Sequence, residues 1–259
     1  MTLPPIFSPE YYAHWRDFEA RHWWTAGMRD VAAMLFDHVD MPKQGTLLDV
    51  GCGSGQGMHW FRKFRPEWKT VGIDLGMEGL LAASRSGLRD VTLGTATSLP
   101  IASESVDAIV TLDVMQHLPL AGGDRLALAE MYRVLKPGGL VFIRTNVQSF
   151  PHVADDADAV WRKYEPADLE AKLTEAGFAI VRLSRINALL GFAEIPGELR
   201  RRARGQRHSS YDVVVNPLPP RISWTSPVKR WWLRWEGRAV RTGVRLPTGR
   251  SLVALARRP

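Results

Sequence analysis

The sequence predicts an α/β protein built on one doubly wound sheet, and three observations carry that expectation. Short apolar runs of strand length alternate with segments whose apolar residues recur at helical spacing. The first such run, 47–50, stops at Gly51-Cys52-Gly53-Ser54-Gly55, after which Met58, Phe61 and Phe64 recur at helical spacing. The next run, 70–74, ends in an acidic residue, Asp74. Glycines let a backbone turn tightly and approach a ligand with no Cβ in the way. Strand, glycine loop and helix start together describe a nucleotide-type site at a sheet's carboxyl edge, with the downstream carboxylate placed to accept from both hydroxyls of a ribose.

In chain order, Ser8-Pro9-Glu10 is a helix-start signal, and Trp15, Phe18 and His22 then share a face, with Trp23-Trp24 just beyond. Val31, Leu35, Phe36 and Val39 predict a second amphipathic helix that breaks at Met41-Pro42. These helices form an N-terminal cap over 1–40. They either pack on the sheet edge or act as a lid whose Arg21-His22-Trp23-Trp24 faces the ligand.

Strands are expected at 47–50, 70–74, 91–93, 105–112, 140–143, 178–183 and 251–256, and helices at 77–84, 123–135 and 166–177. Lys136-Pro137-Gly138-Gly139 should end the helix before the fifth strand. The last two strands lie far apart in sequence and close the sheet as an antiparallel hairpin. The core is then 41–186 with 248–259, and 187–247 is a helical insertion. Within it, helices are expected at 189–202 and 229–242, separated by Pro217-Leu218-Pro219-Pro220. The insertion's tryptophans are expected to bury against the core and line an acceptor pocket, with contact to an anionic bilayer as the alternative.

Composition narrows the class. A single cysteine, Cys52, excludes an internal disulfide and gives no support for a cysteine-ligated metal site. No apolar stretch approaches the ~20 residues of a membrane span, and 1–9 lacks a basic-then-apolar leader pattern. A cytoplasmic location is therefore expected. The formal charge is +7, and much of the excess lies late, from Arg200-Arg201-Arg202 to Arg257-Arg258. Such a tail is either a solvated surface or an anionic contact.

The glycine loop is neither of the two common phosphate binders. A G-x-G-x-x-G fingerprint would need glycine where Gln56 stands, and no Gly-Lys-Ser/Thr follows. What remains, Asp49-x-Gly51-x-Gly53-x-Gly55, resembles the first motif of class I S-adenosylmethionine-dependent methyltransferases. Arg133-Val134-Leu135-Lys136-Pro137-Gly138-Gly139 is similar to the segment that follows that family's core. With His22-Trp23-Trp24 near the start and Pro247-x-Gly249-x-Ser251-Leu252 near the end, the layout resembles bacterial, small-molecule members. Those relatives often carry a histidine where Val160 stands, so no role of that histidine carries over.

The resemblance implies a Rossmann-like seven-stranded sheet, mostly parallel with the last strand antiparallel, and S-adenosyl-L-methionine as cofactor. It implies cofactor contacts from Asp49, Gly51, Gly53, Gly55, Asp74, Thr95, Ala96 and Asp113, with Thr95 standing where the family holds adenine by an acidic residue. His117 is a candidate catalytic base, since an imidazole of ordinary pKa ~6.5 can take a hydroxyl proton near neutral pH. In many relatives this position only packs under the cofactor. His22, Trp23, Trp24, Arg162 and Tyr164 are candidate acceptor contacts. Asp113 and Asn146 alone are not the acidic cluster that metal-assisted chemistry needs, so no metal is expected.

The implied reaction is methyl transfer, at oxygen, to a small-molecule or lipid- or sugar-linked acceptor. The enzyme would be cytoplasmic, with peripheral membrane contact open to it. A nucleic-acid methyltransferase and a non-catalytic cofactor-binding scaffold are the alternatives. Against the first, enzymes acting on exocyclic base amines carry Asn/Asp-Pro-Pro-Tyr where this chain has Leu112-Asp113-Val114-Met115.

Overall fold

Strand-length apolar runs with alternating faces need cover on both sides, and the chain supplies it with helices between strands. A computed structural model describes residues 12, 16, 19, 22–147, 162–188 and 226–259. Trp15, Phe18, Arg21, Val160 and the expected helix at 189–202 lie outside the described residues. The elements are α1 (Trp23–Phe36), β1 (Thr46–Val50), α2 (Gln56–Phe64), β2 (Lys69–Asp74), α3 (Met77–Arg85), β3 (Val91–Leu93), β4 (Val106–Leu112), a 3₁₀ turn (Met115–His117), α4 (Gly123–Val134), β5 (Leu135–Asn146), α5 (Pro166–Glu175), β6 (Ala179–Ile186), α6 (Ser226–Arg241) and β7 (Ser251–Arg257).

Seven strands form one sheet in the order β3-β2-β1-β4-β5-β7-β6. β1, β2, β3, β4 and β5 run parallel, and β7 inserts antiparallel between β5 and β6. This is the Rossmann-like sheet that the sequence predicts. The period-2 alternation sorts the core. Leu47, Val253 and Leu255 face α1 and α6, whereas Leu48, Leu252, Ala254 and Ala256 face α4 and α5. β1 and β4 lie side by side, pairing Val50 with Thr111, while the chain between them winds outward through β2 and β3. Their carboxyl ends therefore open a crevice at the switch point.

Two expectations are corrected. Lys136-Pro137-Gly138-Gly139 does not separate helix from strand. β5 begins at Leu135, immediately after α4, and the register slips between Val106 and Ala108 to take up the extra residues. The tryptophans of α6 do not bury against the core either: Trp231, Trp232 and Trp235 are 55%, 42% and 51% exposed. The buried face of α6 is instead Leu233, Gly237 and Val240, packed on α1. A Cβ on Gly27 would meet Leu233 Cδ2 at 2.7 Å, and one on Gly237 would meet Val31 at 3.0 Å. Backbone-to-side-chain approach this close leaves no room for an indole between the helices.

Candidate active site

The crevice at the ends of β1, β2 and β4 contains a cavity of about 350 Å³, within the size range of small-ligand sites. Its first wall is mostly backbone. Gly51, Gly53 and Gly55 have φ of 78°, 52° and 81°, a region that side chains disfavour. The Gly51 and Cys52 amides both donate to the Ile73 carbonyl, which clamps the loop onto β2. The loop is thereby held against Asp74, whose Oδ2 accepts from the Gly53 amide at 2.7 Å. Asp74 Oδ1 accepts from the Gly76 amide at 2.7 Å and from the Tyr12 hydroxyl at 3.0 Å. Gly51, Cys52, Gly53, Asp74, Thr95 and Ala96 all line the cavity. The Thr95 hydroxyl is shared with Thr97 Oγ1 at 3.0 Å.

The opposite wall is built of side chains. Asp113 follows β4 with φ of 60°, an uncommon conformation for a non-glycine residue. Arg144, on β5, holds it with two bonds, Nε to Oδ1 at 3.2 Å and Nη2 to Oδ2 at 2.5 Å. Arg144 is 5% exposed, and its guanidinium lies 4.6 Å from the Trp24 ring centroid. The 3₁₀ turn then brings Gln116 and His117 to the cavity. Gln116 Oε1 accepts from Thr145 Oγ1 at 2.9 Å, tying the turn to β5. Burial lowers the His117 pKa, with Asp113 opposing, so the imidazole is neutral near pH 7. Glu19 completes this wall, its carboxyl pushed above the usual range by burial.

Several expected site residues lie elsewhere. Asp49 is 2% exposed and sits behind the loop, where a Cβ on Gly57 would meet its Oδ2 at 2.4 Å. Burial, reinforced by Glu19 and Asp74, raises its pKa to about 7. Gly55 faces Leu88 and Ala83 and serves as the N-cap of α2. His22 caps α1, its Nδ1 accepting from the Trp24 amide at 3.3 Å, and Trp23 packs against it. Only Trp24 of the His22-Trp23-Trp24 trio lines the cavity.

Arg162 and Tyr164 brace the turn from behind. Tyr164 is fully buried, and its hydroxyl donates to the Met115 carbonyl at 3.2 Å. Arg162 pairs with buried Asp124 and donates to the Pro119 and Leu120 carbonyls. Their polar groups are committed to the scaffold, not turned to the cavity. Burial also raises the Cys52 pKa, which keeps that thiol protonated and unreactive.

Residues 48–143 match the family model of a methyltransferase domain. That segment holds the glycine loop, β2 and β4, and over it the chain is similar to a methyltransferase domain. The chain is 29% identical over 180 residues to a ubiquinone biosynthesis O-methyltransferase of Azorhizobium caulinodans, an alignment covering 61% of this chain and 69% of that protein. It is 29% identical over 142 residues to a tRNA (carboxymethyluridine(34)-5-O)-methyltransferase of Arabidopsis thaliana, covering 55% of this chain and 30% of that one. It spans about a third of the length of several curated relatives that it matches. In fold it is similar to the Haemonchus contortus phosphoethanolamine N-methyltransferase 2 in complex with S-adenosyl-L-methionine. That match has a TM-score of 0.63 at 18% identity and covers 98% of this chain and 58% of that chain.

S-adenosyl-L-methionine is the group bound in that Haemonchus contortus structure. The cavity suits such a group on two counts. A Cβ on Gly53 would have nothing nearer than Tyr12 Cε1 at 3.7 Å, so the loop presents bare backbone to open space. Asp74 already accepts a hydroxyl, that of Tyr12. Tyr12, Glu19, Gln116 and Arg144 were not expected from sequence. Gln116 and Arg144 stand within strand and turn patterns, and Tyr12 and Glu19 carry no motif at all.

Proposed function

We propose that the protein transfers a methyl group from S-adenosylmethionine to a hydroxyl of a small-molecule or lipid- or sugar-linked acceptor. The observation that carries this reading is the juxtaposition, in one cavity, of a glycine loop beside a hydroxyl-accepting carboxylate and a neutral imidazole. The cofactor supplies a methyl already activated on a sulfonium. The protein must then align the acceptor, exclude water and, for a poorly ionised hydroxyl, remove a proton.

In this reading Gly51, Gly53 and Ala96 approach the cofactor through backbone, Asp74 takes the ribose hydroxyls, and Thr95 offers its hydroxyl on the adenine side. Asp49 and Gly55 act indirectly, by shaping the loop. Asp113 is held in place by Arg144 and borders the reacting centre. His117 accepts the acceptor's proton. The N-terminal cap over 1–40 and the insertion over 187–247 supply the acceptor side; the presence of Glu19 and Trp24 in the cavity wall supports this for the cap. That two relatives carry O-methyltransferase names supports transfer to oxygen.

The test is incubation with methyl-labelled cofactor and cell extract, with mass spectrometry of the products. A labelled small molecule is expected. His117→Ala should slow its formation by about 10²–10⁴-fold, the usual contribution of a general base, with cofactor affinity unchanged. Label found in RNA or DNA alone would overturn the acceptor class, and full activity of the His117 variant would overturn the base.

A further inference from the structure

We propose that the outward face of α6 docks the protein on an anionic lipid bilayer. Viewed down the helix, Leu233, Glu236, Gly237 and Val240 form the buried side. Directly opposite stand Val228, Trp231 and Trp235, spaced i, i+3 and i+7, with Trp232 on one shoulder. Val228 is 60% exposed, and the three tryptophans are exposed as well. A helix that has already buried one apolar stripe on α1 thus presents a second one to its surroundings. Contiguous exposed apolar surface of this kind marks an interaction site.

The charges decide the occupant. Arg230, Arg234 and Arg241 lie along the other shoulder, and Arg238 stands beside the crest with its guanidinium 5.1 Å from the Trp235 centroid. The helix's one carboxylate, Glu236, is buried and accepts from the Asn187 and Ala188 amides and from the Trp232 indole. Asp30 of α1 pairs with Arg230 at 2.8 Å and lies 3.9 Å from Arg234, one carboxylate beside the four arginines of this side. A phosphate-tracking nucleic-acid surface would carry its cations at the crest. Here the crest is apolar and the cations are on its flank. That is the order in which a bilayer is met: indoles and valine at the acyl boundary, arginines at the phosphates.

The inner side of the same helix, at Lys229, lies near the cavity wall. Lys229 Nζ sits 5.6 Å from the Trp23 ring centroid, and the next residue, Trp24, is in the cavity wall. The docking inference stands independently of the methyl-transfer reading, because none of its residues touches the cavity.

The test is co-sedimentation of the full chain with vesicles of phosphatidylcholine alone and of phosphatidylcholine mixed with phosphatidylglycerol. Binding is expected to the mixed vesicles only, and to weaken as salt rises. Trp231→Ser/Trp235→Ser should weaken it roughly tenfold or more, with unchanged thermal unfolding and unchanged cofactor affinity in the absence of vesicles. Arg234→Gln/Arg238→Gln, which keeps the indoles, should flatten the salt dependence and serves as the second variant. Wild-type protein left in the supernatant, or equal pelleting with neutral vesicles, would overturn the proposal. So would a self-associated species, or a complex with RNA, that the tryptophan variant abolishes.

Discussion

The two walls of the cavity are built on opposite plans. The wall from β1 and β2 is a glycine loop and one carboxylate, all within 51–76, with its shape set by positive φ and amide bonds to Ile73 and Asp74. The wall from β4 and β5 is a side-chain assembly in which Glu19, Trp24, Asp113 and Gln116 line the cavity and Arg144 anchors Asp113 from β5. A backbone-built wall suits a ligand that is always the same, because it depends on few side chains. A side-chain wall suits one that differs between relatives. The difference is testable: damage to the second wall should register as lost stability, and damage to the first as lost cofactor affinity.

The largest effect should come from Arg144→Ala. It leaves Asp113 without its partner at a strained φ and removes the cation beneath Trp24. Breaking a buried ion pair from one side typically costs about 3–5 kcal/mol, and the 30% exposure of the Asp113 side chain favours the lower end. Urea unfolding measures it. A loss under about 1 kcal/mol would put this pair in the class of solvent-screened surface bridges and erase the contrast between the walls.

The same contrast explains what was legible in the sequence. Six of the strands lie within three residues of their expected bounds and β5 begins five residues early, because buried strands read as apolar runs and the breaks between them carry glycine or proline. The places of Gly51, Gly53 and Asp74 in the cavity wall were legible because they depend on spacing along one stretch. Arg144 was not, because an arginine one residue past the expected strand 140–143 shows nothing of the ion pair it makes with Asp113 of the neighbouring segment. Arg162 and Tyr164 were misplaced for the converse reason: their residue types suit ligand binding, and only burial against Asp124 and Met115 shows them to be braces. The α6 tryptophans were misplaced because a close interface, Gly27 against Leu233 and Gly237 against Val31, leaves no space for bulkier aromatics.

The next effect in size is a pH dependence. Asp49 titrates near 7 in the folded chain, against ~4 when unfolded. Between those values the native state holds a proton that the unfolded chain has released, so stability should fall as pH rises. Its contribution is complete below about pH 4 and gone above about 7, which amounts to roughly 2–3 kcal/mol between pH 5 and 7.5. Thermal unfolding across that range should show the slope, and Asp49→Asn should remove it. An unchanged slope in the variant would place the titrating group elsewhere and leave Asp49 ionised behind the loop.

Asp74→Ala tests the backbone-built wall directly. The substitution leaves the Gly53 and Gly76 amides without their acceptor and removes the site proposed for the ribose. A loss of about 1–3 kcal/mol in cofactor binding is expected, or roughly tenfold and more in Kd by calorimetry. Affinity within twofold of wild type would mean that the ribose is held by other groups.

The smallest effect, and the one that sharpens the comparison most, is that of Tyr12→Phe. Tyr12 reaches from the N-terminal cap to the glycine-loop wall. Its ring lies along bare backbone, so that a Cβ on Gly76 would sit 2.1 Å from its oxygen and one on Gly79 2.7 Å from its ring. Its hydroxyl donates to Asp74 Oδ1, the oxygen that a ribose hydroxyl would seek. Cofactor and tyrosine then compete for one acceptor, and binding must first break the Tyr12 bond. Phenylalanine keeps the ring and removes the competitor. A hydrogen bond worth about 0.5–1.5 kcal/mol predicts that calorimetric affinity for S-adenosylmethionine rises roughly two- to tenfold, while the cofactor-free protein unfolds at a slightly lower temperature. A fall in affinity instead would show that the hydroxyl turns to the cofactor once it is bound, making Tyr12 part of the binding wall and not its occupant.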